Sequence, residues 1–381
     1  MTGYKLTHEL TKAKYLHIDS DNADNAFSIL FRTPPIDNSG ICHILEHLAL
    51  CGSRKYPIRD PFFKMLKRSL NTYMNAWTSS DFTMYPFSSQ NEKDLLNLLS
   101  VYLDAAFFPQ LRYEDFMQEG HRLEFEAQNK LQRNGVAYNE MKGFMSNPQE
   151  HFQIRLLQSI FQSAPYKYNP GGDPKYIPDL SHKVLVDYHA KYYHPSNTWF
   201  FSFGDLDFTK YLQIVEKDVL SHFKGPRNVD SKIAREPKRA GHIRTIEETF
   251  MADNIRPLNQ QGKFAIATLC NESYADPYKT FALKMLSKLL LDGTSSPFYK
   301  ELIASELADS YCPGIGYETA TRDSKFTLGV QGCLFDKDHL EKIESAIYKV
   351  LNNAKENGFD EASFNKALHE VIFNAVSLIM I

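Results

Sequence analysis

Several things are missing from this chain, and each absence removes a class of protein. No run of about 18 apolar residues occurs in its 381 residues, so no membrane-spanning helix is expected. The charges nearly cancel, 43 Lys and Arg against 46 Asp and Glu, which leaves no electrostatic footprint for nucleic acid. Cysteine is scarce and odd in number: Cys42, Cys51, Cys270, Cys312 and Cys333, with no C-x-x-C pair among them. That argues against a disulfide framework or a structural cysteine–zinc site, and for a reducing compartment. The first twenty residues have no Arg and no apolar core, and mix Lys5, Lys12 and Lys14 with Glu9 and Asp19. Neither a secretory signal nor a transit peptide is expected there.

What remains is enough to build large cores: 43% hydrophobic and 13% aromatic residues. The length exceeds one ordinary domain and predicts two. Phe27–Arg32 reads as a central strand, broken by Pro34 and Pro35 before a helix-compatible stretch, Ile41–Leu50, with Ser39 as its expected N-cap. Helices are expected over Pro61–Leu70, Lys93–Phe107, Tyr113–Asn129 and Gly135–Phe161, and strands across Thr72–Phe87 and Trp199–Gly204. A basic, Pro-containing stretch then reads as a linker, after which strand and helix recur. The expected division is a domain at 1–225, a linker at 226–245 and a second α+β domain at 246–381. The last helix is still apolar at Ile381 and carries no capping signal, so the second domain reads as truncated. The fold class expected is α+β.

Residues 43–47, His-Ile-Leu-Glu-His, carry the chemistry. On a helix, positions four apart share a face, so His43 and His47 present two imidazoles to one metal ion, with Glu46 beside them. Chance supplies this H-x-x-E-H pattern roughly 0.03 times in a chain of this composition, so the histidines are read as a site. Two histidines and a carboxylate around an open position are what a hydrolytic zinc centre needs, with Glu46 as general base. A third ligand must come from elsewhere. Glu140 is the first choice, because it lies among Val136, Tyr138 and Met141, where a carboxylate is costly unless it meets a cation. His121, Glu124 and Glu126 compete, and spacing does not exclude them. The segment Asn75–Tyr85 offers an edge strand on which a peptide could add, with Asn75 toward a substrate carbonyl. The Gly171-Gly172-Asp173 turn reads as structural.

Four segments then become recognisable: 43–57 (HILEHLALCGSRKYP), 59–66 (RDPFFKML), 139–143 (NEMKG) and 171–174 (GGDP). Together they closely resemble a mitochondrial branch of the pitrilysin-type metalloendopeptidases, over nearly the whole chain. The resemblance implies one zinc ion held by His43, His47 and Glu140, Glu46 as base, and Asn75 and Ala76 as edge-strand contacts to substrate. It also implies an ATP-independent endopeptidase of the mitochondrial matrix that degrades unstructured peptides, including cleaved targeting sequences. Two successive homologous domains, each a mainly antiparallel sheet packed on helices, would form half of a clamshell chamber. A C-terminal half would close it, and the full-length protein would be a monomer. Two alternatives share the motif: a peptidase that cuts presequences from precursors, and an inactive peptide-binding product without the second half.

Overall fold

A computed structural model describes residues 1–126, 129–237 and 243–380, with side chains through residue 373. The chain forms two compact units: Met1–Met145 with Ala164–Ala234, and Ser146–Ser163 with Arg235–Ile381. The second unit thus draws residues 146–163 from the stretch read as the first domain. The stretch read as a linker ends one unit and opens the other, and 238–242 lie outside the described residues.

In chain order the first 234 residues supply β1 (Thr2–Thr7), β2 (Lys14–Asp19), β3 (Asn25–Arg32), α1 (Ile41–Ala49), α2 (Pro61–Leu66), β4 (Asn71–Met74), β5 (Trp77–Thr78), β6 (Phe82–Ser89), α3 (Glu92–Phe107), α4 (Tyr113–Glu119), β7 (Arg122–Phe125), β8 (Leu131–Asn134), α5 (Val136–Ser146), α6 (Pro148–Ile160), α7 (His182–Tyr192), β9 (Thr198–Gly204) and α8 (Phe208–Asp218). The first unit's main sheet runs β1-β2-β9-β3-β6-β4, with β5 also on β6. Its pairings are antiparallel except β2 with β9. Strand β3 is central, and Phe27, Ile29 and Phe31 meet Ile41, Ile44, Leu45 and Leu48 of α1 in one core.

Helix α1 is buried nearly all round, which decides the character of the site. At about 1.5–3 kcal/mol per buried aliphatic side chain, its four large apolar residues outweigh the burial of His43 and Glu46, whose hydrogen bonds offset much of the desolvation. The helix starts at Gly40, which sits at φ 72°, and not at Ser39, whose side chain makes no cap. The turn into α1 needs the left-handed conformation that glycine adopts freely.

The helix expected over Tyr113–Asn129 is corrected. Helix α4 stops at Gly120, and β7 and β8 follow as an antiparallel hairpin; residues 127 and 128 lie outside the described residues. A Cβ on Gly135 would lie 2.1 Å from the carbonyl oxygen of Gly120, so the hairpin closes only because glycine stands there. The helix expected over Pro61–Leu70 ends at Leu66. Strand β1 was not anticipated: all six of its residues are exposed, so no apolar alternation marks it.

The second unit contains α6, then β10 (Gly262–Glu272), α9 (Pro277–Leu291), β11 (Ser310–Tyr311), β12 (Gly316–Glu318), β13 (Asp323–Cys333), α10 (Lys337–Asn357) and α11 (Glu361–Met380). Its antiparallel sheet is centred on β13, which pairs with β10, β11 and β12. Leu290, Phe298, Leu328, Val330, Ile343 and Ile347 belong to its core. Among the described residues, no helix is long and apolar enough to cross a membrane.

Candidate metal centre

Three side chains from two helices of the first unit converge. His43 and His47 project from α1, and their rings lie 4.7 Å apart, edge to face. Glu140 comes from α5, and its Oε2 is 3.6 Å from His43 Nε2 and 3.8 Å from His47 Nε2. One ligand atom from each lies within 4.8 Å of the others, and no second such group of His, Cys, Asp or Glu occurs among the described residues. The Glu140 side chain is 56% exposed, so the centre opens to solvent on that side.

The outward partners of the imidazoles fix their tautomers. His43 Nδ1 lies 3.2 Å from the carbonyl oxygen of Gly171. A carbonyl only accepts, so Nδ1 donates and Nε2 keeps its lone pair. His47 Nδ1 donates likewise to Glu119 Oε2 at 3.1 Å, and Gln118 Nε2 donates to the other Glu119 oxygen. Three acceptors, two Nε2 lone pairs and a carboxylate oxygen, therefore face one another at distances too long for hydrogen bonds. Such a set calls for a cation. Donor atoms around a tetrahedral zinc with bonds of about 2.0–2.1 Å sit roughly 3.3 Å apart, near the spacings seen. The donor types and their outward hydrogen bonds are also those of zinc-binding histidines and carboxylates, so the residues fit the ion.

Glu46 is buried beside this group. Thr78 Oγ1, at the end of β5, donates to its Oε2 at 2.6 Å. Burial pushes the Glu46 carboxyl up, and the Thr78 hydrogen bond and the neighbouring His47 oppose that push. Burial also pulls His43 down, assisted by His47. For His47, burial acts downward, but the Glu119 hydrogen bond and the charges of Glu46, Glu119 and Glu140 prevail and raise it.

Other residues singled out from the sequence lie elsewhere. His121 Nε2 donates to the Leu180 carbonyl at 3.1 Å, and Glu124 pairs with Arg122 and Asn134 on the hairpin. Asn75 is exposed at the bend between β4 and β5. Its N–H donates to Pro86 O, its carbonyl accepts from Tyr102, and its Oδ1 accepts from the N–H of half-buried Ala76. Glu119, Thr78 and the Gly171 carbonyl were not picked out as site residues. Thr78 lay within the strand segment already flagged, whereas nothing local marks Glu119.

Against known proteins, residues 32–169 match the family described as "Insulinase (Peptidase family M16)", and residues 179–371 match "Peptidase M16 inactive domain". The chain belongs to the M16 peptidase family, and its α+β fold combines the family's N-terminal and inactive-type domains. More particularly, it is a homologue of the protein named "Presequence protease, mitochondrial". It is 42% identical to that of Xenopus tropicalis over 381 aligned residues, covering 97% of this chain and 36% of the relative. To that of Schizosaccharomyces pombe it is 42% identical over 371, covering 96% and 37%. The chain thus spans about a third of the length of these curated relatives. A solved protease from Helicobacter pylori shares the fold, with a TM-score of 0.78, 20% identity, and coverage of 99% of this chain and 85% of that one. An M16-like peptidase from Alicyclobacillus acidocaldarius gives 0.73 at 18% identity, covering 100% and 85%.

Proposed function

We propose that this chain is the zinc-binding part of an ATP-independent metalloendopeptidase that degrades short unstructured peptides, cleaved mitochondrial targeting sequences among them, in the mitochondrial matrix. The observation that carries the reading is the convergence of His43 Nε2, His47 Nε2 and a Glu140 oxygen, each imidazole held from behind by an acceptor. The homology to presequence proteases supports the substrate class.

On this reading His43, His47 and Glu140 hold zinc, which when bound supplies Lewis-acid polarisation and a nucleophile at neutral pH. Glu46 takes the proton of the attacking water and returns it to the leaving amine. Its raised proton affinity suits a group that must gain and lose a proton near neutrality. Thr78 occupies one Glu46 oxygen and leaves the other for that exchange. An extended peptide lies along the β4–β5 edge with Asn75 and Ala76 as its contacts, the Ala76 N–H exchanging its Asn75 Oδ1 partner for a substrate carbonyl. Strand addition requires free backbone, so folded proteins are poor substrates. A complementary C-terminal half completes the peptide-holding chamber, in a protein that is a monomer at full length.

The test is metal analysis joined to a peptide-cleavage assay, run on this chain with and without a complementary second half. The wild-type chain is expected to hold one zinc. Glu46→Gln should retain zinc while cleavage in the two-part system falls about 10²–10⁴-fold. Normal turnover in that variant removes Glu46 from the role of base.

A further inference from the structure

The Gly-Gly-Asp turn that read as merely structural touches both ligand-bearing helices. We infer that the turn Asn169–Asp173 is the positioning element that sets the separation between α1 and α5, with Gly171 and Gly172 as its positioning residues. This rests on the reading that His43, His47 and Glu140 hold zinc.

On the α1 side, the turn is bound to the helix's leading residues. Asn169 N donates to Asn38 Oδ1 and Asp173 N to Asn38 O, both at 2.9 Å. Gly171 supplies the carbonyl that accepts from His43 Nδ1. Backbone packs on backbone there. A Cβ on Gly172 would lie 2.8 Å from Gly40 Cα, and one on Gly40 would lie 2.6 Å from Gly171 O. Both glycines have positive φ, +95° at Gly172 and +72° at Gly40, so no other residue sits there without strain.

On the α5 side, the turn bears on the residue next to Glu140. A Cβ on Gly171 would lie 2.7 Å from Met141 Sδ, and Asn169 Nδ2 lies 3.8 Å from Met145 Sδ. The turn is also braced internally. Gly171 N donates to Asn169 Oδ1, and Asn169 Nδ2 donates to Gly172 O. A turn whose two central residues carry no side chain therefore packs against both helices, and its thickness sets how far the Glu140 carboxylate lies from the two imidazoles. Supporting groups of this kind are worth about 10–100-fold in metal affinity.

The experiment titrates Zn²⁺ into the full chain and records the visible spectrum of bound Co²⁺ as a report on coordination geometry. Gly172→Ala should weaken Zn²⁺ binding about 10–100-fold and alter the Co²⁺ bands, with helical circular dichroism retained. If that variant does not fold, Gly171→Ala carries the test, because its Cβ meets chiefly the flexible end of Met141. It should weaken binding by a smaller factor. Wild-type affinity and unaltered Co²⁺ bands in folded Gly171→Ala and Gly172→Ala overturn the inference. A wild-type chain that binds no Zn²⁺ is a different result, and it overturns the zinc reading itself together with this one.

Discussion

The two units place their polar groups differently. In each, a strand is followed by a helix: β3 by α1 in the first, β10 by α9 in the second. Helix α1 carries His43, Glu46 and His47; α9 carries Lys279, Lys284 and Lys288 and no histidine. Lys288 is consumed by Asp292 and Glu370 at 2.5 Å each. The second unit's buried polar cluster sits instead on β13, where donors meet acceptors. Asp323 accepts from Arg235 Nε at 2.6 Å and from Glu236 N at 2.8 Å, Ser324 Oγ donates to Asn271 O, and Lys325 pairs with Glu318. In the first unit, acceptors face acceptors around an open point. Satisfied polarity builds scaffold, and convergent unsatisfied polarity builds a place for a cation.

The contrast breaks most sharply at the ligands. His43→Ala, His47→Ala and Glu140→Ala should each strip zinc from the chain, whereas His339→Ala, which removes a donor to the Leu307 carbonyl in the second unit, should leave metal content alone. Equal zinc by metal analysis in all four variants would erase the distinction between the units. Next is Glu119→Gln, which should weaken Zn²⁺ affinity about 10–100-fold by loosening His47; an unchanged binding isotherm argues against that role.

Acid should then probe the first unit's scaffold. His189 is half-buried, donates from Nε2 to Ala106 O, and is pushed by desolvation down to about 4. Between pH 6.5 and 4 the unfolded chain takes up a proton that the native chain refuses. The stability this residue contributes is therefore complete above about 6.5 and declines toward pH 4, by up to about 3 kcal/mol. Urea midpoints across that range should fall less steeply in His189→Asn. The smallest effect belongs to the second unit. Asp323→Ala should cost about 1–3 kcal/mol, discounted because Arg235 is partly in water, with zinc content unchanged. Loss of zinc in that variant would mean that the scaffold cluster also serves the metal group.

The sequence shows part of this through short-range pattern. The spacing of His43 and His47 states that they share a helical face, and the apolar run of β3 states that it is central. Glu140 lies about ninety residues further along, and no periodicity encodes its distance from α1; on spacing alone His121, Glu124 and Glu126 stay open, and it is the family resemblance that points to Glu140. The hairpin after α4 was read as helix because Arg, Leu, Glu and Gln all favour helix, and its alternation lasts only four residues per strand. Glu119 and Thr78 act through contacts 72 and 32 residues distant in sequence, with no local motif to announce them.

Helix α6 has a consequence during synthesis. It packs against β10, a strand that begins roughly a hundred residues later in the chain. At translation speeds of about 5–20 residues per second, α6 is made roughly 5–20 s before β10 begins to follow it. For that interval the α6 face that packs on β10 has no partner from that strand.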